Sequence, residues 1–443
     1  MDARTAHALG FALGTWAQAA PTKGVPTETA EVVSGAEVVI GMDTRESGPW
    51  LAEQVAGGLA RAGVKARFAG IITTPGVAYL TRTGPFVAGV MISASHNPYQ
   101  DNGLKAISHS GYKLPDEVEL HLESLMTEWL ASGQPAQPLK LTVDASLDNL
   151  YTDYLASTVS AKFPLKIVVD CANGAATEVA PRLFKRVGAC VDWIGAAPNG
   201  RNINLDCGSL HLEKLQQRMA SLPGGPAATI GAAFDGDADR CLFVTAGGEL
   251  VNGDGVLLLA ARQMKEQGCL KNDLVVATVM SNLGLENALS RVGIRMTRTP
   301  VGDKYVLEEM VRSGANLGGE QSGHVIFSDE QSTGDGLLTA LRVALIVAQS
   351  GRPLADLVAG MAVYPQEIRN LRVREKPPLD TLPDVMAAIG QSERELGDTG
   401  RVIVRYSGTE NLVRIMVEAA EDATVRHHVD VIAAALTGVL GRS

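Results

Sequence analysis

The residues with the clearest chemical potential lie at 93–105 and form the sequence Ser-Ala-Ser-His-Asn-Pro-Tyr-Gln-Asp-Asn-Gly-Leu-Lys. An apolar run at 86–92 precedes them and predicts a strand, so Ser95 is expected on a loop where a rigid sheet ends. A hydroxyl in that position can receive a transferred group. His96 adds a polar neighbour, and Lys105 supplies a cation that could meet an anionic substrate. Taken alone, an ordinary polar loop remains the alternative.

A second stretch, at 235–240, has the sequence Asp-Gly-Asp-Ala-Asp-Arg and follows a predicted strand at 229–234. In an extended backbone, residues two apart share one side, so Asp235, Asp237 and Asp239 would face one another and repel. A divalent cation such as Mg²⁺ relieves this repulsion because it prefers carboxylate and phosphate oxygens. An EF-hand is excluded, since its loop needs Gly at the sixth position and Glu at the twelfth. An acidic solvated turn is the alternative.

Two further loops combine polar side chains with glycine. Residues 318–324, Gly-Gly-Glu-Gln-Ser-Gly-His, place a carboxylate, a hydroxyl and an imidazole where they can hydrogen-bond sugar hydroxyls. Residues 405–411, Arg-Tyr-Ser-Gly-Thr-Glu-Asn, combine a glycine turn, two hydroxyls and a guanidinium, which together suit an anion. A structural histidine and an ordinary hairpin turn are the respective alternatives.

These four stretches together resemble the signature loops of the phosphohexomutases, enzymes that move phosphate between the C6 and C1 oxygens of a hexose. The resemblance implies that Ser95 is the phosphorylated nucleophile. It implies one Mg²⁺ per subunit, held by the phosphate on Ser95 and by Asp235, Asp237 and Asp239. It assigns catalytic roles to Ser95, His96, Lys105, Arg240 and His324. It assigns substrate binding to Lys304, Glu320, Ser322, Arg405, Ser407, Gly408, Thr409 and Arg414.

The mechanism that the resemblance implies passes through a bisphosphorylated sugar. Phosphorylated Ser95 donates its phosphoryl group to the free C1 or C6 oxygen, and a hexosamine or hexose 1,6-bisphosphate serves as intermediate and primer. A general base must take the hydroxyl proton, and Lys105 and His324 are the two residues considered. Lys105 could do so only if its pKa were lowered near the metal.

The sugar-recognition sequence Gly-Glu-Gln-Ser-Gly-His at 319–324 resembles the branch of the family that acts on amino sugars, and so does the stretch at 202–211. We therefore predict interconversion of glucosamine 6-phosphate and glucosamine 1-phosphate, which supplies amino sugar for the cell wall. Glucose or mannose phosphates are the alternative substrates.

A metal-dependent phosphatase acting through Ser95 is a second alternative. A non-catalytic sugar-phosphate sensor is disfavoured because the reactive residues are intact, and a serine hydrolase because Gly-x-Ser-x-Gly is absent around Ser95.

A strand, a polar loop and a helical pattern recur in that order near residues 36, 165 and 274, which indicates three similar α/β domains. With the resemblance, we expect an α/β protein of four domains with mixed sheets, arranged around a central active-site cleft. The predicted domains are 1–140 with the serine loop, 147–244 with the metal-binding loop, 248–355 with the sugar loop, and a C-terminal α+β domain at 363–443 with the phosphate loop. Closure of the last domain over the cleft is a hypothesis.

The composition argues against several other classes of protein. The formal net charge of −10 argues against a nucleic-acid partner, and no run of about 18 apolar residues predicts a membrane span. The five widely spaced cysteines lack a Cys-x-x-Cys pair and predict reduced thiols in the cytoplasm. The expected partner is a small-molecule sugar phosphate. Oligomeric state stays open, with a homodimer as one option.

The beginning of the chain departs from the family pattern. Phosphohexomutases usually begin with a strand and a Gly-Thr-Asp-Gly-like loop, whereas this sequence starts with a predicted helix. Two explanations stay open: a misassigned start, or a first sheet that lacks an edge strand and exposes backbone.

Overall fold

A computed structural model describes residues 1–19, 35–159, 162, 165–222, 229–407 and 410–441. The helices are α1 (Ala3–Ala19), α2 (Gly48–Arg61), α3 (Thr74–Thr83), α4 (Asp116–Ala131), α5 (Ala145–Ser157), α6 (Ala176–Val187), α7 (Glu213–Ala220), α8 (Gly253–Glu266), α9 (Leu283–Ser290), α10 (Asp303–Ser313), α11 (Gly336–Ser350), α12 (Leu354–Val358), α13 (Pro383–Leu396) and α14 (Asp422–Leu440). The strands are β1 (Glu37–Met42), β2 (Lys65–Ile71), β3 (Phe86–Ile92), β4 (Leu104–Ser108), β5 (Lys166–Asp170), β6 (Cys190–Ile194), β7 (Ile230–Phe234), β8 (Cys241–Val244), β9 (Leu250–Val251), β10 (Leu274–Thr278), β11 (Arg295–Thr299), β12 (Leu317–Gly319), β13 (Val325–Phe327), β14 (Gln366–Arg372), β15 (Gly400–Tyr406) and β16 (Leu412–Ala419).

Three sheets share one topology. Their strand orders are β2-β1-β3-β4, β6-β5-β7-β8-β9 and β11-β10-β12-β13. In each sheet the first three strands in sequence are parallel, and the fourth pairs antiparallel with the third. The first strands β1, β5 and β10 lie between parallel neighbours and are almost wholly buried, which explains their continuous apolar sequences. The predicted set of similar α/β domains with mixed sheets is confirmed.

The C-terminal sheet has a different topology. Its order is β14-β16-β15, and both pairings are antiparallel. Helices α13 and α14 pack on it around a shared core that includes Val385, Ile415 and Ile432. The predicted α+β class is therefore confirmed for this region, although the sequence patterns did not indicate β14 or α13.

Among the described residues, strand β2 is one of the two edges of the first sheet, for which the sequence raised the question of exposed backbone. Phe68 in β2 forms an isolated parallel bridge with Val143. The backbone N–H of Asp144 also donates to the carbonyl of Phe68 at 2.7 Å. The segment before α5 thus covers part of this edge.

The described residues fall into two compact units. One comprises Met1–Met280 with Ile294–Ala359, and the other comprises Ser281–Gly293 with Gly360–Ser443. The first unit holds the three mixed sheets, and the second holds the antiparallel sheet. Among the described helices, none has both the length and the apolar character needed to cross a membrane.

Candidate active site

Three chemistry-bearing loops leave equivalent positions in the three mixed sheets. Ser95 follows β3, Asp235 follows β7 and Glu320 follows β12. Each of these strands is the third of its sheet, and each loop turns the chain into the antiparallel fourth strand. Loops at the carboxyl ends of parallel strands are the usual place for ligands in such sheets. The repeated topology therefore supplies the predicted serine, metal and sugar loops from one common position.

The Ser95 hydroxyl lies directly on the acidic loop. Its Oγ donates a hydrogen bond to Asp235 Oδ2 at 2.5 Å, across 140 positions of sequence. Ser95 has a φ of +49°, a left-handed conformation that is uncommon for residues other than glycine. Its backbone N–H donates to Ser93 Oγ, which in turn donates to Asp43 Oδ2 at 2.7 Å. These contacts hold a strained backbone that directs the hydroxyl toward Asp235.

Arg45 holds the serine loop in place through hydrogen bonds to its backbone. Its side chain is fully buried and pairs with Asp43 at 2.9 Å. The remaining donors of its guanidinium reach the backbone carbonyls of Ser95, Asn97, Pro98 and Asp101. Burial raises the pKa of Asp43, and the charge of Arg45 opposes that rise. The only sequence signal for this role is weak, a polar triplet immediately after the first predicted strand.

The three aspartates converge, although not in the predicted way. Strand β7 ends at Phe234, and the aspartates lie in the following turn, where Ala238 has a φ of +54°. One oxygen from each of Asp235, Asp237 and Asp239 lies within 4.8 Å of the others. The expectation of an extended backbone here is wrong, but the turn produces the same convergence of carboxylates.

One of these carboxylates, that of Asp237, is held by donors from α3 and β4 of the first domain. Asp237 Oδ2 accepts hydrogen bonds from Thr74 Oγ1 at 2.5 Å and from Lys105 Nζ at 2.6 Å. Within the described residues, Asp237 Oδ1 and Asp239 Oδ1 are buried and accept no hydrogen bond. Two buried, unsatisfied carboxylate oxygens beside a third carboxylate fit a hard divalent cation such as Mg²⁺. Thr74 lies in a short stretch, Thr-Pro-Gly, that also matches the family, but the sequence assigned it no role.

The charged groups of this site shift one another's pKa values. Burial raises the pKa of Asp235, and the neighbouring Asp239 and Asp237 carboxylates raise it further. Burial disfavours the charged form of Lys105, but Asp237 and Asp239 outweigh it and raise the pKa of Lys105 above its ordinary value. This direction is opposite to the one that a base would need. In this arrangement Lys105 is a cation and a hydrogen-bond donor.

The two predicted histidines have different surroundings. His324 is buried, its Nε2 accepts the backbone N–H of Gly334 at 3.1 Å, and its Nδ1 lies 3.6 Å from Asp239 Oδ2. An Nε2 that accepts a hydrogen bond carries no proton, so Nδ1–H faces Asp239. His96 is partly buried, with Nδ1 at 3.5 Å from a guanidinium nitrogen of Arg240. Burial and then the charge of Arg240 lower the pKa of His96.

The sugar loop is organised by its own residues. Glu320 Oε1 accepts the backbone N–H of Gly302 at 3.0 Å, and Ser322 Oγ donates to Glu320 Oε2 at 3.3 Å. Gln321 Nε2 lies 3.3 Å from Asp254 Oδ2. Lys304, a predicted substrate ligand, instead pairs with the exposed carboxylate of Asp116. Glu320 and Ser322 thus face each other, whereas the side chains of Gln321 and Lys304 contact other parts of the protein.

A cavity of about 410 Å³ lies between the first and third mixed-sheet domains. Lys105, Asp239 and Asp303 line it together with apolar side chains such as Ile107 and Leu307. The cavity therefore gives a small molecule access to the charged groups beside Ser95.

The predicted phosphate loop lies in the C-terminal unit. Ser407 is buried, and its Oγ accepts the backbone N–H of Glu410 at 3.3 Å. Arg405 and Arg414 are directly paired across β15 and β16, so two guanidinium groups start from neighbouring positions. Lys376, which the sequence did not single out, donates to the Ser407 carbonyl at 2.7 Å. Gly408 and Thr409 lie outside the described residues.

Comparison with known proteins decides the family. Models of the phosphoglucomutase/phosphomannomutase family match along the whole chain: alpha/beta/alpha domain I at residues 1–132, domain II at 147–248, domain III at 252–364, and the C-terminal domain at 369–435. The chain belongs to the phosphoglucomutase/phosphomannomutase family. It is thus an isomerase that transfers phosphate within a sugar.

Individual relatives cover almost the full length. The chain is 54% identical to the phosphoglucosamine mutase of Solibacter usitatus, over 94% of this chain and 90% of the relative. It is 48% identical to the phosphoglucosamine mutase of Koribacter versatilis, over 100% of this chain and 94% of that one. Among solved structures, a putative phosphomannomutase from Thermus thermophilus superposes with a TM-score of 0.77 at 25% identity, covering 99% of this chain and 95% of the other. The family predicted from the four loops is confirmed.

Proposed function

We propose that this phosphohexomutase interconverts glucosamine 6-phosphate and glucosamine 1-phosphate, the activity of a phosphoglucosamine mutase. The observation that carries the chemistry is the Ser95 hydroxyl at 2.5 Å from Asp235 within a cluster of three carboxylates. The choice of amino sugar is supported by the names of relatives at 54% and 48% identity over nearly the whole chain.

Ser95 carries the phosphoryl group between turnovers. In the first transfer, the bond between phosphorus and Ser95 Oγ breaks, a bond to the free sugar oxygen forms, and the proton of that sugar hydroxyl passes to Ser95 Oγ, which becomes a free hydroxyl. The product is a 1,6-bisphosphorylated sugar. In the second transfer, the bond between the other phosphorus and its sugar oxygen breaks, a bond to Ser95 Oγ forms and regenerates the phosphoserine, and the Ser95 proton passes to the released sugar oxygen. The left-handed backbone of Ser95 and its support by Arg45 keep Oγ in one position for both steps.

Asp235, Asp237, Asp239 and the phosphate on Ser95 would hold one Mg²⁺. When bound, the cation offsets negative charge on the transferring group. The protein prepares its ligands from a neighbouring domain, because Thr74 and Lys105 occupy one oxygen of Asp237 and leave the other free. Lys105 adds a second positive charge close to the same oxygens.

The roles of the remaining site residues follow from their contacts. Lys105 acts as a cation toward phosphate, because its ion pair with Asp237 favours the ammonium form. His324 orients Asp239 through Nδ1–H, since its Nε2 is occupied by the Gly334 N–H. Arg240 contacts His96, the residue after Ser95, and the two side chains complete the polar environment of the transferring phosphate.

The loop at 318–324 is assigned to the sugar, and the loop at 405–411 is assigned to the phosphate that is not being transferred. Glu320 and Ser322 present a carboxylate and a hydroxyl that can bond sugar hydroxyls. Arg405, Ser407, Gly408, Thr409 and Arg414 are assigned to the phosphate that is not being transferred. We add Lys376 to this set, because its ammonium group contacts the Ser407 carbonyl and could bond phosphate with its other protons.

The test is turnover of glucosamine 6-phosphate, glucose 6-phosphate and mannose 6-phosphate with Mg²⁺ and a 1,6-bisphosphate primer. We expect the amino sugar to be preferred, and activity on all three to vanish in Ser95→Ala. Preference for glucose or mannose phosphate would leave the transfer chemistry intact and overturn the assigned substrate. Release of free phosphate at the rate of turnover would instead identify a phosphatase.

The cellular role is part of the same proposal. An enzyme that makes glucosamine 1-phosphate supplies an activated amino sugar for cell-wall synthesis, and we place that work in the cytoplasm. The cysteines support this location, because all five are free thiols and Cys171, Cys207 and Cys241 are buried.

A further inference from the structure

Two groups of carboxylate and imidazole side chains in the described part of the chain are compact enough to hold a metal ion. One is the acidic loop at Ser95. The other consists of Glu395, His427 and His428 in the C-terminal unit, with one ligand atom from each residue within 4.8 Å of the others. The phosphoryl-transfer chemistry makes no use of this second group.

Helices α13 and α14 bring these residues together. Glu395 belongs to α13 and the two histidines belong to α14, and both helices share the core of the C-terminal unit. The group therefore bridges two elements that are distant in sequence. An ion bound there would link one helix to the other.

His428 is already oriented as a metal ligand would be. Its ring is buried, and Nδ1 lies 3.1 Å from Ser392 Oγ, a buried hydroxyl on α13. Nε2 is thereby directed to the side of Glu395, whose Oε2 lies 3.9 Å away. Metal-binding histidines usually have their second ring nitrogen held in this way, because that contact fixes the tautomer and the ring direction.

The other two side chains can complete the site. Gln391 Nε2 donates to Glu395 Oε1 at 2.8 Å, which leaves Oε2 facing His428. His427 is exposed, and its ring centroid lies 5.1 Å from that of His428. Ligand atoms around a tetrahedral ion are about 3.4 Å apart, so small rotations of exposed Glu395 and His427 would close the present spacing.

We propose that Glu395, His427 and His428 bind a divalent transition-metal ion and so join α13 to α14. Two imidazoles and one carboxylate suit Zn²⁺ and its neighbours in the periodic table, whereas Mg²⁺ prefers oxygen ligands. Water fills the remaining coordination positions, as expected at a surface site with three protein ligands. Burial, followed by the adjacent His427, lowers the pKa of His428, which favours the neutral imidazole that a metal requires.

The test is a Zn²⁺ titration of the full chain by calorimetry, in excess Mg²⁺ so that the acidic loop is saturated. The same titration of Asp239→Asn separates the two sites. We expect one equivalent of Zn²⁺ in both proteins. His427→Ala and Glu395→Gln should weaken binding by more than about 10-fold, and Ser392→Ala by about 10-fold through loss of orientation. His121→Ala, which removes an exposed histidine on α4, should leave binding unchanged.

A second measurement distinguishes a bridging ion from one that binds loosely to the surface. Zn²⁺ should raise the thermal unfolding temperature of the wild type and of His121→Ala, but not that of His427→Ala. Because His427 and Glu395 are exposed, their replacement should leave the fold intact, which circular dichroism can verify. Zn²⁺ binding that disappears in Asp239→Asn, or that persists unchanged in both His427→Ala and Glu395→Gln, would overturn the proposal.

Discussion

Lys105 Nζ lies 2.6 Å from Asp237 Oδ2, and the same oxygen accepts the hydroxyl of Thr74. Two donors from the first domain thus hold one carboxylate of the second domain, and its other oxygen stays free for a cation. Asp237, one of the three aspartates proposed to hold the cation, is thus positioned by a domain that contributes none of them. This arrangement leads to testable consequences for the cation, the serine loop and the histidine.

Replacement of Thr74 by valine should raise the Mg²⁺ concentration needed for half-maximal activity by about 10-fold, because Asp237 loses a buried donor that fixes its orientation. Turnover at saturating Mg²⁺ should change much less. The measurement is activity as a function of Mg²⁺ concentration. Thr83→Val on the same helix is the matched control, since Thr83 is exposed and its hydroxyl donates to the Tyr79 carbonyl of that helix. An unchanged Mg²⁺ requirement in Thr74→Val would refute this role.

Replacement of Arg45 tests the support of the serine loop. Arg45→Lys keeps the charge but cannot reach four carbonyls and Asp43 at once, so Ser95 should shift and turnover should fall by about 100-fold. Arg45→Met should also destabilise the fold by about 3–5 kcal/mol, because it leaves buried Asp43 without its partner. Steady-state kinetics and thermal unfolding measure the two effects.

Arg61→Lys provides the comparison for both Arg45 variants, since Arg61 is exposed at the end of α2. Near-normal turnover in Arg45→Lys would show that the loop does not depend on the guanidinium geometry.

His324→Gln distinguishes an orienting histidine from a proton-transferring one. If His324 orients Asp239, the variant should need about 10-fold more Mg²⁺ and should regain most of its turnover when Mg²⁺ is saturating. If His324 moves the proton, turnover should stay low at any Mg²⁺ concentration. Gly334→Ala should resemble the orienting case, because a methyl group there would lie within 2.7 Å of three ring atoms of His324.

The buried position of Asp335 predicts that the stability of the folded state depends on pH. It caps α11 through Leu338 N–H and accepts the hydroxyl of buried Tyr151, and burial raises the pKa of Asp335 to about 6. The folded state therefore binds this proton more tightly than the unfolded chain, whose aspartate pKa is about 3.9. The resulting stabilisation, at most about 3 kcal/mol, is complete below pH ~4 and is lost as the pH rises to about 6.

The difference in melting temperature between wild type and Asp335→Asn isolates this effect, because both proteins share every other carboxylate and asparagine can still cap the helix. Wild type should lose several degrees relative to the variant between about pH 4 and pH 6. A difference that stays constant over this range would contradict the raised pKa.

The sequence predicted the parts of the fold that depend on local patterns. Strand β3 has the predicted bounds, and strand β10 begins at residue 274, where the sequence placed the third strand, because both are largely apolar runs. Strand β14 was missed because its sequence, Gln-Glu-Ile-Arg-Asn-Leu-Arg, is largely polar at an exposed sheet edge. Helix α13 likewise has an interrupted apolar stripe.

Only those site residues that lie in recognisable sequence motifs could be predicted. Ser95 and the aspartates stand in distinctive loops, so their identity could be inferred, but the turn that unites the carboxylates could not. Thr74 and Arg45 act through contacts across 163 and about 50 positions. Contacts between residues so far apart in the chain cannot be inferred from the local sequence. The protonation of Lys105 likewise depends on carboxylates that only the fold brings near.

We propose above all that Ser95 carries the transferred phosphate. The most direct measurement is the site and fate of phosphate after incubation with Mg²⁺ and glucosamine 1,6-bisphosphate, by mass spectrometry of wild type and Ser95→Ala. We predict one phosphate on Ser95, passed to added glucosamine 6-phosphate as fast as the enzyme turns over, and neither phosphate nor turnover in Ser95→Ala. Turnover that persists in Ser95→Ala, or phosphate that resides on another residue, would contradict it.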